Sequence, residues 1–277
     1  MSTFGFQPPP AYSTDILAPP VWQGPPGQMT NYQASGSIHQ KYAIFGHETQ
    51  VLQVNLFPGE SVVSQPGAML YRGEGVNIST GVGGVGQGFS RIMAGESFFK
   101  NSYTNRGKYM ESIAISPSFP AKIIPIDLSR SGTILAKHGS YIAHIGNVNV
   151  SFQVVSNMMA GCFGGNGLFL LKLEGNGIVF LNGGGSVMEK ILAPGETLLA
   201  HHDSLVGFSA SVQYGARRIG DCLTCCCGGE GLFNFELTGP GLVMIQSMSK
   251  ERLKAIFPPP RNSGGEPQGQ LPVSPGN

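Results

Sequence analysis

Four of the five cysteines stand within six positions, as Cys222-Leu-Thr-Cys225-Cys226-Cys227. Cys222 and Cys225 have the two-residue gap of a metal-ligand pair, but a zinc site draws on four donors and usually on a second spaced pair. The remaining thiol, Cys162, stands by itself. The run Cys225, Cys226, Cys227 has a second chemistry, acylation, which requires the thiols to be exposed beside a membrane. The plainer reading is a set of small buried residues next to Gly228-Gly229. His138, His201 and His202 carry imidazoles of the kind that bind metals. Neighbouring residues of a strand point to opposite faces, however, so these histidines are expected to stabilise turns. Glu60, Glu96, Glu196 and Glu230 each follow a glycine. They read as solvated carboxylates accepting local backbone N–H bonds, not as acid/base pairs. Gly81-Val-Gly-Gly-Val-Gly86 lacks the Lys-Ser/Thr and the helix of a phosphate loop, so it reads as a β connection. Pro9-Pro10-Ala11-Tyr12 fits the PPxY ligand of WW domains, which dock a polyproline II segment on an aromatic groove. The expected sites are therefore a WW-docking motif at Pro9, Pro10 and Tyr12 and a thiol cluster at Cys225 to Cys227. No catalytic, cofactor or metal residues are expected, and the chain reads as a non-enzyme.

Composition narrows the class. The 277 residues carry a formal net charge of +1 with 12% charged residues, which is no footprint for nucleic acid. The 41 glycines and 20 prolines with short apolar runs belong to a turn-rich all-β protein. No apolar run reaches the roughly 18 residues of a membrane helix. The N-terminus shows neither a signal core nor an Arg-rich presequence. The crowded cysteines do not form an oxidised framework. A reducing compartment, the cytoplasm, is expected.

The elements that must position any site follow from periodicity. Residues 1–36 are a Pro/Gly-rich segment with little to bury, expected to lack structure. Val51–Phe57 alternates as a half-buried strand, with Leu52, Val54 and Leu56 on one face. Leu205–Tyr214, Leu168–Leu173 and Leu232–Leu237 also read as strands. Pro194-Gly195 suits the centre of a type II turn. Gly175-Asn-Gly177 and Gly239-Pro-Gly241 are expected to reverse the chain tightly. A helix is expected over Ser249–Phe257, stopped by Pro258, at the start of a Pro/Gly-rich tail over 251–277.

Cys162-Phe-Gly-Gly-Asn-Gly-Leu-Phe169 recurs 64 positions later as Cys226-Cys-Gly-Gly-Glu-Gly-Leu-Phe233, and residues 128–182 lie over 192–246 without a gap. A weaker copy comes first: Pro58-Gly-Glu60 matches Pro194-Gly-Glu196, and Ala94-Gly-Glu-Ser-Phe-Phe99 matches Gly228–Phe233. The all-β domain over 37–250 thus reads as three units, about 42–115, 119–185 and 187–250. Similar β units in one chain are expected to pack about a pseudo-threefold axis, with neighbouring edges paired.

Pro194-Gly-Glu196, Cys225-Cys-Cys-Gly-Gly-Glu-Gly-Leu-Phe233 and Leu237-Thr-Gly-Pro-Gly-Leu-Val-Met-Ile-Gln-Ser247 resemble the altered-inheritance-of-mitochondria 24 family over about residues 37–250. The resemblance implies three units similar to the tryptophan RNA-binding attenuation protein, in the double-stranded β-helix group, and no catalytic residues. It also implies a link to the mitochondrial inner membrane, the alternative to the cytoplasm, through the family's fungal member. RNA binding is not expected, because Lys and Arg do not recur at matched positions: Lys137 meets His201 and Lys172 meets Glu236. The function expected is that of a β-structured scaffold with protein partners, WW-domain proteins among them. The alternatives are an acylated peripheral membrane protein, similar in layout to scramblase-like proteins, and a small-molecule or metal-binding β-helix protein.

Overall fold

Alternation puts every second side chain of a strand on one face, and the chain uses this to build a protein dominated by antiparallel strands. The computed structural model describes residues 30–31, 41–82, 99–153, 170–218 and 233–257. The first strands are β1 (Thr30–Asn31), β2 (Tyr42–Phe45), β3 (Val51–Leu56), β4 (Ser61–Ser64), β5 (Met69–Arg72), β6 (Val76–Val82), β7 (Phe99–Asn105) and β8 (Glu111–Ile115). Next come β9 (Lys122–Asp127), α1 (Leu128–Ser131), β10 (Ile134–Lys137), β11 (Tyr141–Gln153) and β12 (Leu170–Gly183). The last are β13 (Val187–Leu192), β14 (Thr197–Ala200), β15 (Leu205–Ser209), β16 (Gln213–Arg218), β17 (Phe233–Thr238), β18 (Gly241–Gln246) and α2 (Lys250–Ile256). In β3 the expected face, Leu52, Val54 and Leu56, is buried. The expected C-terminal helix is α2, capped by the Ser249 hydroxyl, which accepts the Arg252 N–H.

One pairing scheme recurs along the chain. β13 and β15 flank β18, while β14 and β16 flank β17. β3 and β5 flank β8, while β4 and β6 flank β7. Between them β12 is long enough to serve both roles, pairing β9 through its C-terminal half and β10 through its N-terminal half, with β11 along its other side. Registers agree residue by residue: Ile126↔Val179 is matched by Lys190↔Val243, and Ile134↔Leu173 by Leu198↔Leu237. A bulge falls at corresponding places, Met69/Tyr71, Tyr141/Ala143 and Leu205/Gly207.

Two further ladders join these stretches. β11 pairs β4 through Ala143↔Ser64, His144↔Val63 and Ile145↔Val62. β15 pairs β10 through Gly207↔Ala136, Phe208↔Leu135 and Ser209↔Ile134. Side chains at both junctions are shut off from water: Val62, Ile142, Ala143, Ile134, Val206 and Phe208 all have 0% exposure. The core crosses the junctions. Ile123, Ile142 and Phe180 pack with Leu52, Val54 and Tyr103, while Leu135 and Leu170 pack with Phe208, Phe235 and Leu237.

Three local expectations need correction. Gly175-Asn-Gly177 does not reverse the chain, because β12 runs straight through it opposite Gly146 and Asn147 of β11. The glycines permit close backbone approach: a Cβ on Gly177 would stand 2.3 Å from the Ile145 carbonyl oxygen, and Gly146 has φ +85°, a conformation that favours glycine. Likewise Gly239-Pro-Gly241 redirects the chain from β17 into β18, and those two strands pair with different neighbours. The single strand expected over Leu205–Tyr214 is broken at Ser209–Val212, where the Val212 N–H bonds the Ser209 carbonyl in a turn and the chain changes sheet. Thr30–Asn31, within residues 1–36, pairs β13 as a short strand.

Candidate functional site

The most distinctive sequence signature, Thr238-Gly-Pro-Gly-Leu-Val-Met-Ile-Gln-Ser247, ends in two polar residues whose side chains hold the chain together. Gln246, 7% exposed, sits at the end of β18. Its Oε1 accepts the Gly184 N–H at 2.9 Å and its Nε2 donates to the Asp203 carbonyl at 3.0 Å. The Ser247 hydroxyl accepts the Ser186 N–H at 2.9 Å. Together they fix the Gly184–Ser186 link between β12 and β13. Close packing there needs glycine: a Cβ on Gly184 would lie 2.0 Å from the Met248 carbonyl oxygen. Asn182, which stands where Gln246 does in the register, donates to the Gly139 carbonyl at 3.2 Å. The signature thus has a structural use.

The Pro-Gly-Glu turns behave alike. Glu60 and Glu196 each close a turn with the backbone (Glu60 N–H to the Phe57 carbonyl, Glu196 N–H to the Ala193 carbonyl). Each carboxylate then accepts the N–H of the turn's first residue, Phe57 or Ala193. Gly59 and Gly195 occupy positive φ, +85° and +78°, as a type II turn requires. The bonds from Lys190 and the Ala193 N–H hold the Glu196 carboxyl below the usual carboxylate range. Beside Glu60, Lys41 pairs with it at 3.2 Å at one side of a cleft of about 380 Å³, which is also lined by Asn55, Ile145 and Asn147. Lysine and glutamate neutralise each other there.

His201 and His202 do not point to opposite faces. His201 caps a 3-10 turn over His202–Ser204, so backbone curvature brings the rings to 4.5 Å between centroids. Together with Asp203 their ligand atoms fall within 4.8 Å of one another. Two of these donors are already engaged: His201 Nδ1 accepts the Asp203 N–H at 3.2 Å, and Asp203 Oδ1 lies 3.3 Å from Lys137 Nζ. Lys137 also reaches Glu251 of α2 at 3.6 Å. Burial depresses His202 below the ordinary histidine value, against the raising field of Asp203. The cluster ties β10, the turn and α2 together. His138 opens the corresponding 3-10 turn over His138–Ser140 and stacks on Phe152.

Sequence reasoning passed over His144, which is 5% exposed on β11 at the β4 junction. Its Nδ1 lies 2.7 Å from the Tyr141 hydroxyl. Burial, followed by the field of Lys100, lowers its pKa to about 4. The imidazole is therefore neutral at pH 7.

The sheet edges were also passed over. β4 and β10 each have two strand neighbours, but among the described residues β14, their counterpart, pairs β17 alone. β11 and β15 are flanked on both sides at their junctions, but among the described residues β5 pairs β8 alone. Leu70 is 57% and Tyr71 47% exposed, while the residues that match them, Ile142 and Ala143, have 0% exposure. Leu199 is 42% exposed and its counterpart Leu135 only 5%. A signal was available in the sequence: apolar residues recur at these positions in the matched stretches.

The docking motif Pro9, Pro10, Tyr12 and the thiols Cys162, Cys222 and Cys225 to Cys227 lie outside the described residues, as do Glu96 and Glu230.

The model of the family described as Mitochondrial biogenesis AIM24 matches residues 42–248. An uncharacterised protein of Streptococcus pyogenes serotype M6 is 28% identical over 225 residues, covering 76% of this chain and 88% of the relative. The crystal structure of a Streptococcus pyogenes protein superposes with a TM-score of 0.63 at 24% identity, covering 78% of this chain and 97% of that one. This last likeness is one of fold.

Proposed function

The chain belongs to the Mitochondrial biogenesis AIM24 family, and from that premise we propose that it is a non-enzymatic β-structured scaffold acting through its surfaces. The observation that carries the reading is the junction made twice in one register, β11 on β4 and β15 on β10. On this reading three copies of one unit, similar to the tryptophan RNA-binding attenuation protein, succeed one another about a common centre. In a pseudo-threefold scheme the third pair of equivalent strands is β5 and β14, each of which has one strand neighbour among the described residues. The polar residues of the signatures support the same view, since Glu60, Glu196, Gln246 and Ser247 are spent on backbone groups of the fold.

Partners would be proteins, with Pro9, Pro10 and Tyr12 as a docking peptide for WW domains. The cytoplasm is the proposed address. The mitochondrial inner membrane, which the family resemblance implies, is the alternative address. Among the described residues no helix is long and apolar enough to cross a membrane, so residence there would be peripheral, with acylation of Cys225, Cys226 and Cys227 as the means. Affinity purification of the tagged chain, paired with its localisation, tests the reading. Recovery of defined protein partners that Tyr12→Ala depletes is the expected result. Turnover of a defined substrate, lost on a single point change in a folded variant, would overturn it.

A further inference from the structure

Resting on the scaffold reading, we infer that β5 and β14 are the two halves of a self-association site, and that the β14 edge of a second copy of this chain adds to β5. The argument is one of register. In the two junctions inside the chain, the strand after the 3-10 turn meets the strand of the neighbouring stretch at fixed positions: Ala143 opposite Ser64, and Gly207 opposite Ala136. Carried to the unpaired edges by the same offsets, the rule sets Tyr71 opposite Ala200, Arg72 opposite Leu199, and Gly73 opposite Leu198 of the second copy. Two backbone bonds that extend the existing junctions, Gln65 N–H to the Ile142 carbonyl and Ala210 N–H to the Thr133 carbonyl, have counterparts there. These are His201 N–H to Leu70 and Glu74 N–H to Thr197.

The side chains agree with the backbone. An unpaired edge strand with apolar side chains is a template for another strand. Leu70, Tyr71 and Leu199 are the exposed apolar residues at positions where the paired junctions bury Ile142, Ala143, Val206 and Leu135. β5 and β14 lie in separate sheets, each ending at the strand in question. Among the described residues nothing pairs them within the chain. The two edges differ from each other and are mutually complementary, so the contact is heterologous. Such contacts close into rings or extend.

Light scattering on the full chain after size exclusion, over a range of concentrations, tests this. The mass is expected to be a multiple of the 29.2 kDa of one chain. Tyr71→Asp disables one edge and Leu199→Asp the other. Each variant alone is expected to be a folded monomer whose melting midpoint no longer depends on concentration, because both side chains are exposed. Mixed, the two variants retain one good β5 and one good β14 between them and are expected to form a heterodimer that grows no further. Three results would each overturn the inference: a wild-type monomer at every concentration, oligomers that survive both substitutions, or a mixture that stays monomeric. A monomer that still captures other proteins would remove this junction and leave the scaffold reading standing. Substrate turnover would remove that reading and leave the junction in place.

Discussion

Replacing Gln246 with alanine removes two hydrogen bonds from a side chain that is 7% exposed. The loss at Gly184 is the larger, because that residue is buried and its N–H would be stranded. A stranded buried donor costs about 1–3 kcal/mol. Asp203 is half-buried, so water can replace part of the second bond, and its loss costs about 0.5–1 kcal/mol. With the small void left behind, Gln246→Ala is expected to destabilise the protein by about 2–4 kcal/mol. At roughly 2–4 °C per kcal/mol for a chain of this size, the melting midpoint should fall by about 4–16 °C. Asn182→Ala is the matched control. It loses one bond, to the carbonyl of the exposed Gly139, and should cost only about 0.5–1.5 kcal/mol. Gln246→Glu keeps the acceptor for Gly184 but buries a carboxylate oxygen against the Asp203 carbonyl, so at pH 7 it should cost at least as much as alanine. Urea denaturation with calorimetry on the four proteins decides the matter. A Gln246→Ala variant within about 0.5 kcal/mol of wild type, or one less affected than Asn182→Ala, would refute the role given to Gln246 in fixing the Gly184–Ser186 link.

Asn105 has 0% exposure and bonds three backbone groups: its Nδ2 donates to the Leu56 and Tyr109 carbonyls and its Oδ1 accepts the Gly107 N–H. Asn105→Ala should therefore cost about 3–4 kcal/mol, read as a shifted denaturation midpoint at constant slope. For His144 the sign follows from a folded pKa of about 4 against an unfolded value of 6.5. The unfolded chain takes up the proton first, so the stability from a neutral His144 is whole above pH 6.5. It is lost as pH falls toward 4, by about 3 kcal/mol in total. Denaturation at pH 7 and at pH 4.5 should show this loss, and His144→Phe, which copies Phe208 at the matching register position, should flatten it. An unchanged pH dependence in the variant would count against the assignment.

Much of the local structure was legible beforehand. Alternation in Val51–Leu56 marks its buried face because a strand's period is a property of the backbone alone. The Pro-Gly-Glu turns were legible for a similar reason: proline, a glycine at positive φ and a carboxylate in reach of its own turn are all local chemistry. Longer-range matters were not. Gly175-Asn-Gly177 has the composition of a hairpin, and only the presence of β11 alongside shows that it lies within the unbroken strand β12. His201 and His202 have their relation set by the backbone curvature of a 3-10 turn. Gln246 looks like an ordinary polar residue until β18 brings it against Gly184, a contact 62 residues away in sequence.

The repeating pattern of residues determined by itself that the chain is all-β and which short stretches become strands, since propensity, turn chemistry and period act over a few neighbours. Which strand meets which, where two junctions are buried, and that β5 and β14 have one neighbour each among the described residues were decided by the tertiary structure. Pairing unites residues far apart in the chain, and whether an edge is covered depends on all the strands placed around it.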